Sequence, residues 1–300
     1  MAVEIPYKRE MEFEYGRIEQ VAPGVRRVIA NNPSAFTFHG TGTYILGEGE
    51  VAVIDPGPLD PNHIEAIFNG IEGEKVTHVL ITHTHMDHSP GYQLMKPMCD
   101  AVSYGFGPHG SGKIDDGVKV EEGGDMQFVP DERVSHGDVI DGGNWSVECV
   151  YTPGHTSNHV CYQLKEGRVL FTGDHVMGWS TSIVSPPDGD MEAYMNSLEL
   201  LLERDDKAYW PTHGPAITEP KEHVTAFIAH RREREEQILK CVDEGVHIIS
   251  EMVPKMYQGT PEFMYPAAAR SVLAAVEYMI KRGVLVSDQD NLMEASLNKN

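Results

Sequence analysis

Residues 82–91, THTHMDHSPG, place four potential metal ligands within six positions, namely His83, His85, Asp87 and His88. Imidazole is the commonest biological metal ligand and carboxylate is its usual hard partner, so this pattern indicates a metal site. The preceding run, VTHVLITH at 76–83, is typical of a buried strand, whereas Ser89 and Pro90 are typical of a helix start. The sequence therefore predicts that the cluster lies on a loop between a strand and a helix.

Four ligands so close together crowd a single tetrahedral ion, so the cluster favours two adjacent ions. Further ligands are then required, and three candidates end apolar runs beside glycine: His155 in TPGHT, Asp174 in VLFTGD and His213 in PTHG. A strand that ends beside glycine can deliver a side chain to the rim of a sheet. Because neighbouring strand residues face opposite ways, His175 is predicted to be a rim or core residue and not a ligand.

Composition restricts the class of protein. The 300 residues are 40% hydrophobic and 23% charged, which is ordinary for a globular chain. No apolar run approaches the roughly 20 residues that a membrane span needs, and the N-terminal residues are charged where a secretion signal would be apolar. We therefore expect a cytoplasmic protein without membrane contact. The four scattered cysteines predict neither a disulfide framework nor a thiolate zinc site.

The formal net charge of −22 is concentrated in the larger, N-terminal part of the chain. Residues 221–300 carry 10 Lys and Arg against 12 Asp and Glu, whereas residues 1–220 carry 14 against 34. A negative field repels polyanions and slows their encounter with any site that it surrounds. Charge thus favours a small-molecule substrate over a nucleic acid.

Hydrophobic patterning divides the chain into two structured parts. Short β-type runs recur at 42–47, 51–57, 76–83, 101–105, 145–152, 159–164 and 169–174, with a hairpin predicted at 166–168 and helical segments between them, including 190–203. From about residue 220 three long helical patterns follow, and a short β-like run comes after Gly283. We predict an α/β domain over 1–218, a helical winged-helix-like domain over 219–290 and a disordered tail over 291–300.

The motifs HTHMDH, TPGHT, FTGDH and PTHG, with DPG in VIDPG at 53–57, resemble the signature of the metallo-β-lactamase superfamily. The match runs in order from about residue 35 to 215. The helical part of the chain after about residue 220 makes the resemblance more specific: it is to lactamase-β-like hydrolases with a C-terminal winged-helix-like domain. The resemblance implies an α/β fold, an αβ/βα sandwich with a two-metal site between the sheet edges.

The resemblance also implies a ligand set for two zinc ions. One ion is assigned to three histidines and the other to a mixed set, namely His83, His85 and His155 for the first, and Asp87, His88 and His213 for the second. Asp174 would bridge the two ions, and Asp55 would support the ligands from behind. Iron and manganese remain alternatives to zinc, because the set contains no cysteine.

Catalytic residues follow from the same resemblance and from their positions in the chain. We expect Asp87 to serve both as a ligand and as a proton carrier for a metal-bridging hydroxide. Tyr194 is predicted to donate a hydrogen bond to a developing oxyanion, with packing as the alternative. The predicted substrate pocket comprises Trp179 and Ser182, which lie in a long connection, and His159, for which a structural hydrogen bond is the alternative.

Three functions compete for this chain. The first is a binuclear zinc hydrolase acting on a small ester, lactone or thioester. The second is a metal-dependent endonuclease for single-stranded RNA, with weak β-lactam hydrolysis as a side activity. The third is a regulator whose helical end binds DNA. Charge favours the first, and the nearly neutral helical end favours a lid or a homodimer surface over a nucleic-acid contact.

Overall fold

Two β-sheets form the centre of the molecule in the computed structural model, which describes residues 3–111 and 123–300. Within those residues, the first sheet contains seven strands in sequential order: β1 (Glu19–Ala22), β2 (Val25–Ile29), β3 (Gly42–Leu46), β4 (Glu50–Ile54), β5 (Lys75–Leu80), β6 (Val102–Gly105) and β7 (Glu132–Arg133). The second contains five, in the order β12-β11-β10-β9-β8: β8 (Val139–Asp141), β9 (Ser146–Tyr151), β10 (Val160–Leu164), β11 (Val169–Gly173) and β12 (Ala208–Pro211). Parallel pairing of β4 with β5 and of β11 with β12 directs several carboxyl ends to one edge.

Helices cover the outer face of each sheet. The described part of the chain forms α1 (Pro61–Gly70), α2 (Gly91–Met95), α3 (Met191–Glu203), α4 (Pro220–Asp243), α5 (Ile249–Met256) and α6 (Tyr265–Lys281). Side chains of α1 and α2 pack on the first sheet, and side chains of α3 and α4 pack on the second. The layer order confirms the predicted αβ/βα sandwich. Within the described ranges, no helix combines the length and apolar character that crossing a membrane requires.

Strand β4 shows why the sequence adopts this layering. Its residues Val51 and Val53 lie in the core beneath the helices, whereas Ala52 and Ile54 lie in the core between the two sheets. Successive side chains of a strand point to opposite faces, so a strand buried on both faces needs an uninterrupted apolar run. The sequence VAVI at 51–54 meets that requirement, and all four residues are buried.

The C-terminal helices have a core of their own. Side chains from α5 and α6 pack with the second half of α4 and with Leu285 and Leu297. Helix α4 also contributes Val224 and Phe227 to the core of the second sheet, so one helix belongs to both parts. The boundary at 218/219 therefore stays a prediction.

The structure places a short strand in the tail that the sequence predicts to be disordered. Strand β13 (Leu285–Ser287) pairs in antiparallel fashion with β14 (Leu297–Lys299). The buried side chains of Ala295 and Leu297 anchor this part of the chain, and the Leu297 amide donates to the carbonyl of His247 at 3.0 Å. Two apolar residues in a polar tail are thus sufficient to dock it against the helices.

Replacing Gly91 by alanine should destabilise the sandwich near the histidine loop. A Cβ at this position would lie 2.5 Å from the carbonyl oxygen of Pro56, which belongs to backbone that cannot easily move. We expect Gly91→Ala to lower the free energy of unfolding by about 1–3 kcal/mol in urea denaturation. Gly105→Ala is the matched control, because the nearest atom to its new Cβ is 3.6 Å away. Equal stability of the two variants would contradict the argument.

Candidate metal centre

The seven predicted ligands converge at one edge of the sandwich. They follow β5, β9, β11 and β12, and the structure brings them into three overlapping groups whose ligand atoms all lie within 4.8 Å of one another: His83, His85 and His155; His83, His88 and Asp174; and Asp87, His88 and His213. Six of the seven side chains are buried, and His155 is partly exposed. Residues up to 130 positions apart in sequence therefore form one polar cluster.

The first group consists of three imidazoles. Nε2 of His83 lies 3.0 Å from Nδ1 of His85, and Nε2 of His155 lies 3.1 Å from the same Nδ1. Zinc binds imidazole nitrogen at about 2.0–2.1 Å in tetrahedral geometry, which separates two ligand nitrogens by roughly 3.3 Å. The nitrogen separations in the structure thus suit a shared ion of this size.

The second group joins Asp87 to His88 and His213. Oδ2 of Asp87 lies 3.1 Å from Nε2 of His213 and 3.4 Å from Nε2 of His88. Asp174 contacts both groups, since its Oδ2 lies 3.5 Å from Nε2 of His213 and 3.8 Å from Nε2 of His155. This carboxylate occupies the position expected of a bridging ligand.

Two buried polar atoms test whether the residues fit metal ions. Nε2 of His88 and Oδ1 of Asp174 have no hydrogen-bond partner among the described residues. A buried acceptor without a partner costs free energy, because it has lost its hydrogen bonds to water. A bound cation would satisfy both atoms, so the residues present fit the metal pair that the sequence predicts.

The outer nitrogens of the imidazoles are held by hydrogen bonds. Two Nδ1 atoms donate to backbone carbonyls, which can only accept: His155 to Ile183 at 2.5 Å and His213 to Gly40 at 3.2 Å. In these two rings Nδ1 carries a proton, so Nε2 is the nitrogen that can bind a metal ion.

Asp55 connects the ligands to the sheets, at the position where the sequence predicts a supporting carboxylate. Its Oδ2 lies 2.9 Å from Nδ1 of His88 and accepts from the Thr82 hydroxyl at 2.7 Å and the Thr212 hydroxyl at 3.2 Å. The Thr82 amide donates to the other oxygen at 2.8 Å. Asp55 itself has a φ of 47°, a left-handed conformation that L-residues rarely adopt. The hydrogen bonds to both sheets hold it there.

Electrostatics in the cluster favour the ligand forms of several groups. Burial lowers the pKa of His83 and of His85 well below the usual range, so both imidazoles are neutral near pH 7. Burial alone would raise the pKa of Asp87, but His88 and His213 outweigh it and lower that pKa. Burial likewise opposes charge on His213, yet Asp174 and Asp87 raise its pKa to about 10. The proton on His213 and a metal ion compete for the same lone pair.

Tyr194 does not fit its predicted role as an oxyanion donor. The side chain is fully buried, and its hydroxyl donates to the backbone carbonyl of His175 at 2.8 Å. Burial raises the pKa of Tyr194, which keeps the hydroxyl protonated and able to donate. The structure therefore favours the packing alternative for Tyr194.

Two of the predicted pocket residues are also structural. His159 is buried, its Nδ1 pairs with the Thr152 hydroxyl at 2.9 Å, and its Nε2 accepts from the backbone amide of Asp174 at 3.2 Å. Ser182 is buried and donates to the carbonyl of His175 at 2.8 Å. The polar atoms of both residues are already used inside the protein, which favours a structural role over the predicted substrate contact.

Trp179 differs from them because it is partly exposed beside His213. Its ring stacks on Phe38 with 4.8 Å between centroids and 17° between planes. A Cβ on Gly214 would lie 2.8 Å from Trp179, so the indole rests on the residue that follows His213. Trp179 therefore remains a candidate for substrate contact.

One hydrogen-bonded chain near the cluster was not predicted from the sequence. The Asn158 amide donates to the Thr84 hydroxyl at 2.8 Å, and that hydroxyl lies 3.0 Å from Nδ1 of His109. The ring centroid of His109 is 6.0 Å from that of His85. No spacing in the sequence signals His109, since only the tertiary structure brings its loop to the histidine cluster.

Comparisons with known proteins agree with this geometry. The family model "Metallo-beta-lactamase superfamily" matches residues 37–213, and the model "Beta-lactamase associated winged helix domain" matches residues 249–292. A "Beta-lactamase-like protein 2 homolog" from Drosophila melanogaster is 32% identical over 283 residues, which is 89% of this chain and 91% of the relative. The match to the winged-helix family model confirms the winged-helix-like domain that the sequence predicts.

Two further similarities differ in what they support. An "Atrochrysone carboxyl ACP thioesterase" from Cryptosporiopsis sp. is 32% identical over 231 residues, which is 76% of this chain and 65% of that relative. The crystal structure of a beta-lactamase domain protein from Burkholderia ambifaria superposes with a TM-score of 0.80 at 20% identity, covering 99% of this chain and 97% of that one. The structural similarity supports the fold alone.

Substituting Asp55 by asparagine should weaken metal binding without unfolding the protein. The variant keeps the shape of the side chain but removes the anion that faces Nδ1 of His88. We expect the zinc affinity of metal-free protein to fall about 10–100-fold in chelator competition. Asp205→Asn, at a side chain that is 73% exposed, is the control and should bind as wild type does. Unchanged affinity of Asp55→Asn would show that this carboxylate does not orient a ligand.

Proposed function

Because the chain belongs to the metallo-beta-lactamase superfamily and is a hydrolase of that superfamily, we propose that it hydrolyses small acyl thioesters with two zinc ions. The observation that carries the proposal is the pair of ligand groups that share the carboxylate of Asp174. His83, His85 and His155 would hold one ion, and Asp87, His88 and His213 the other. Zinc is the proposed ion, with iron and manganese as the alternatives for a set of His and Asp ligands.

Two observations favour a small thioester over RNA. A relative with 32% identity across 76% of this chain carries the name thioesterase, which supports choosing the thioester among the ester, lactone and thioester candidates. Residues 1–220 carry 14 Lys and Arg against 34 Asp and Glu, and a negative field of this size opposes binding of a polyanion.

The residues around the cluster define the proposed chemistry. When bound, two divalent ions lower the pKa of water towards neutrality and polarise the scissile carbonyl. Asp87 is the proposed acceptor for the proton released as water adds to that carbonyl. Its Oδ2 already accepts a hydrogen bond from the Thr41 hydroxyl at 3.4 Å, which steadies the carboxylate.

The stack of Phe38 on Trp179 is the proposed wall for the acyl group. Both rings are partly exposed, and the Gly40 carbonyl close by accepts from Nδ1 of His213. Phe38 has a φ of 58°, and such strain in a residue other than glycine tends to occur at functional sites. An apolar wall beside the ligands suits an uncharged acyl chain better than a phosphodiester.

A substrate screen tests the proposed reaction. Zinc-loaded protein should hydrolyse N-acetylcysteamine thioesters of octanoic and benzoic acid faster than nitrophenyl esters, lactones, a cephalosporin or single-stranded RNA. The thiol released from the thioester is measured with an aromatic disulfide reagent that gives a coloured product. RNA cleavage is measured by gel electrophoresis. Turnover of RNA alone would overturn the thioester proposal in favour of the endoribonuclease.

Two substitutions distinguish the proposed catalytic role of Asp87 from the structural role of Tyr194. Asp87→Asn should reduce kcat by at least about 10²-fold, because it removes both a ligand and the proposed proton acceptor. Tyr194→Phe should leave kcat within about threefold, whereas loss of an oxyanion donor costs about 10²–10³-fold. Steady-state kinetics on the best thioester provide both values. A large loss in Tyr194→Phe would restore the tyrosine to the mechanism.

A further inference from the structure

An irregular segment links the metal ligands to the C-terminal helices. Residues 176–190, between β11 and α3, contain neither helix nor strand. Despite this, the segment contacts the loop of His155 at several points: the Ile183 carbonyl accepts from Nδ1 of His155 at 2.5 Å, and the Asp190 amide donates to the carbonyl of Gly154 at 2.9 Å. A segment without regular hydrogen bonding needs side-chain anchors to keep such contacts in place.

Arg231 of α4 provides the central anchor. Its guanidinium is buried, with the residue only 6% exposed, and Nη2 donates to the carbonyl of Ser182, 49 positions earlier in the chain. The charge also lies over the ring of Tyr194, 5.0 Å from the centroid. A buried cation moves only with its hydrogen-bond partners, because separation would leave it unsolvated. Arg231 therefore restrains the peptide that precedes Ile183.

Arg231 is also connected, through intervening residues, to the predicted ligand Asp174. The connection passes through the backbone carbonyl of His175, the residue after Asp174. This carbonyl accepts from the hydroxyls of Ser182 and Tyr194, each at 2.8 Å. Arg231 contacts both donor residues: it donates to the carbonyl of Ser182 and lies over the ring of Tyr194. Arg231 thus lies behind the backbone of Asp174 as well as behind His155.

Helix α6 adds a separate anchor to the segment. Nε of Arg270 donates to the Ser185 hydroxyl at 3.0 Å, and the Ser185 carbonyl accepts from the Gly189 amide at 2.9 Å. Side chains of α4 and α6 therefore hold residues 182–185.

We infer that Arg231 is a positioning residue for the metal centre. By fixing the peptide between Ser182 and Ile183, it keeps the Ile183 carbonyl in line with Nδ1 of His155 and directs Nε2 of that ring into the cluster. The C-terminal helices then serve to complete the metal site, which is a different task from closing over substrate or binding nucleic acid. The inference rests on the proposed role of His155 as a ligand.

The test compares Arg231→Met with Arg232→Met, an exposed neighbour on the same helix. Long-range ¹H–¹⁵N spectra of the metal-free proteins at pH 8 report which ring nitrogen of His155 carries the proton, with His155→Gln providing the assignment. Chelator competition with zinc gives the affinity of each of the two sites. Circular dichroism and thermal melting establish that each variant is folded.

Wild type and Arg232→Met should show His155 protonated on Nδ1 and bind two zinc ions alike. Arg231→Met should show a mixture of tautomers and lose about 10-fold in the affinity of one zinc ion. Arg231→Lys, which restores the cation, should recover part of both properties. This conservative variant also replaces Arg231→Met in the comparison if the methionine variant does not fold.

The outcomes distinguish this inference from the proposed metal centre. If His155→Gln weakens zinc binding but a folded Arg231→Met keeps the wild-type tautomer and affinity, the positioning role is refuted and the metal centre stands. If His155→Gln binds both ions as wild type does, the ligand assignment itself fails. A uniform loss of stability with unchanged tautomer and affinity would also refute the positioning role.

Discussion

Burial of four imidazoles and two carboxylates, beside a fifth imidazole that is partly exposed, is the constraint on which the structure depends. Such groups lose their hydration when they are buried. Hydrogen bonds and a bound cation can offset the free-energy cost of that loss. The sandwich meets part of this demand with fixed acceptors, namely the carboxylate of Asp55 and the carbonyls of Gly40 and Ile183. Nε2 of His88 and Oδ1 of Asp174 still lack a hydrogen-bond partner among the described residues. Bound metal ions would provide the missing interaction for both atoms.

Local patterns predicted much of the fold, because apolar runs and turn residues act over short distances. The hairpin at 166–168 joins β10 to β11, and the ligand motifs lie at strand ends as expected. The pattern missed β1 and β2; in β2 two arginines interrupt the apolar run. Arg26 is accommodated by an ion pair with Glu74, and Arg27 lies over the ring of Trp210. Such compensation depends on residues distant in sequence, so the local pattern could not reveal it.

Site predictions depend on the tertiary structure in the same way. The ligands could be located because strand geometry delivers them, and the family motifs specify their order. The roles of Tyr194, Ser182 and His159 depended on where their polar atoms find partners, and all three bind backbone groups around residues 174 and 175. Arg231 lies in the charged run RREREE at 231–236, yet it is buried against the segment behind the site. A long polar side chain looks the same in sequence whether it faces solvent or anchors a loop.

The central claim is that two ions share one cluster through Asp174. Calorimetric titration of metal-free protein with zinc, combined with elemental analysis after gel filtration, tests it most directly. We expect two equivalents for wild type, and for a folded Asp174→Ala a loss of affinity at both sites. Saturation at one equivalent, or an Asp174→Ala variant that binds two ions as tightly as wild type, would contradict it.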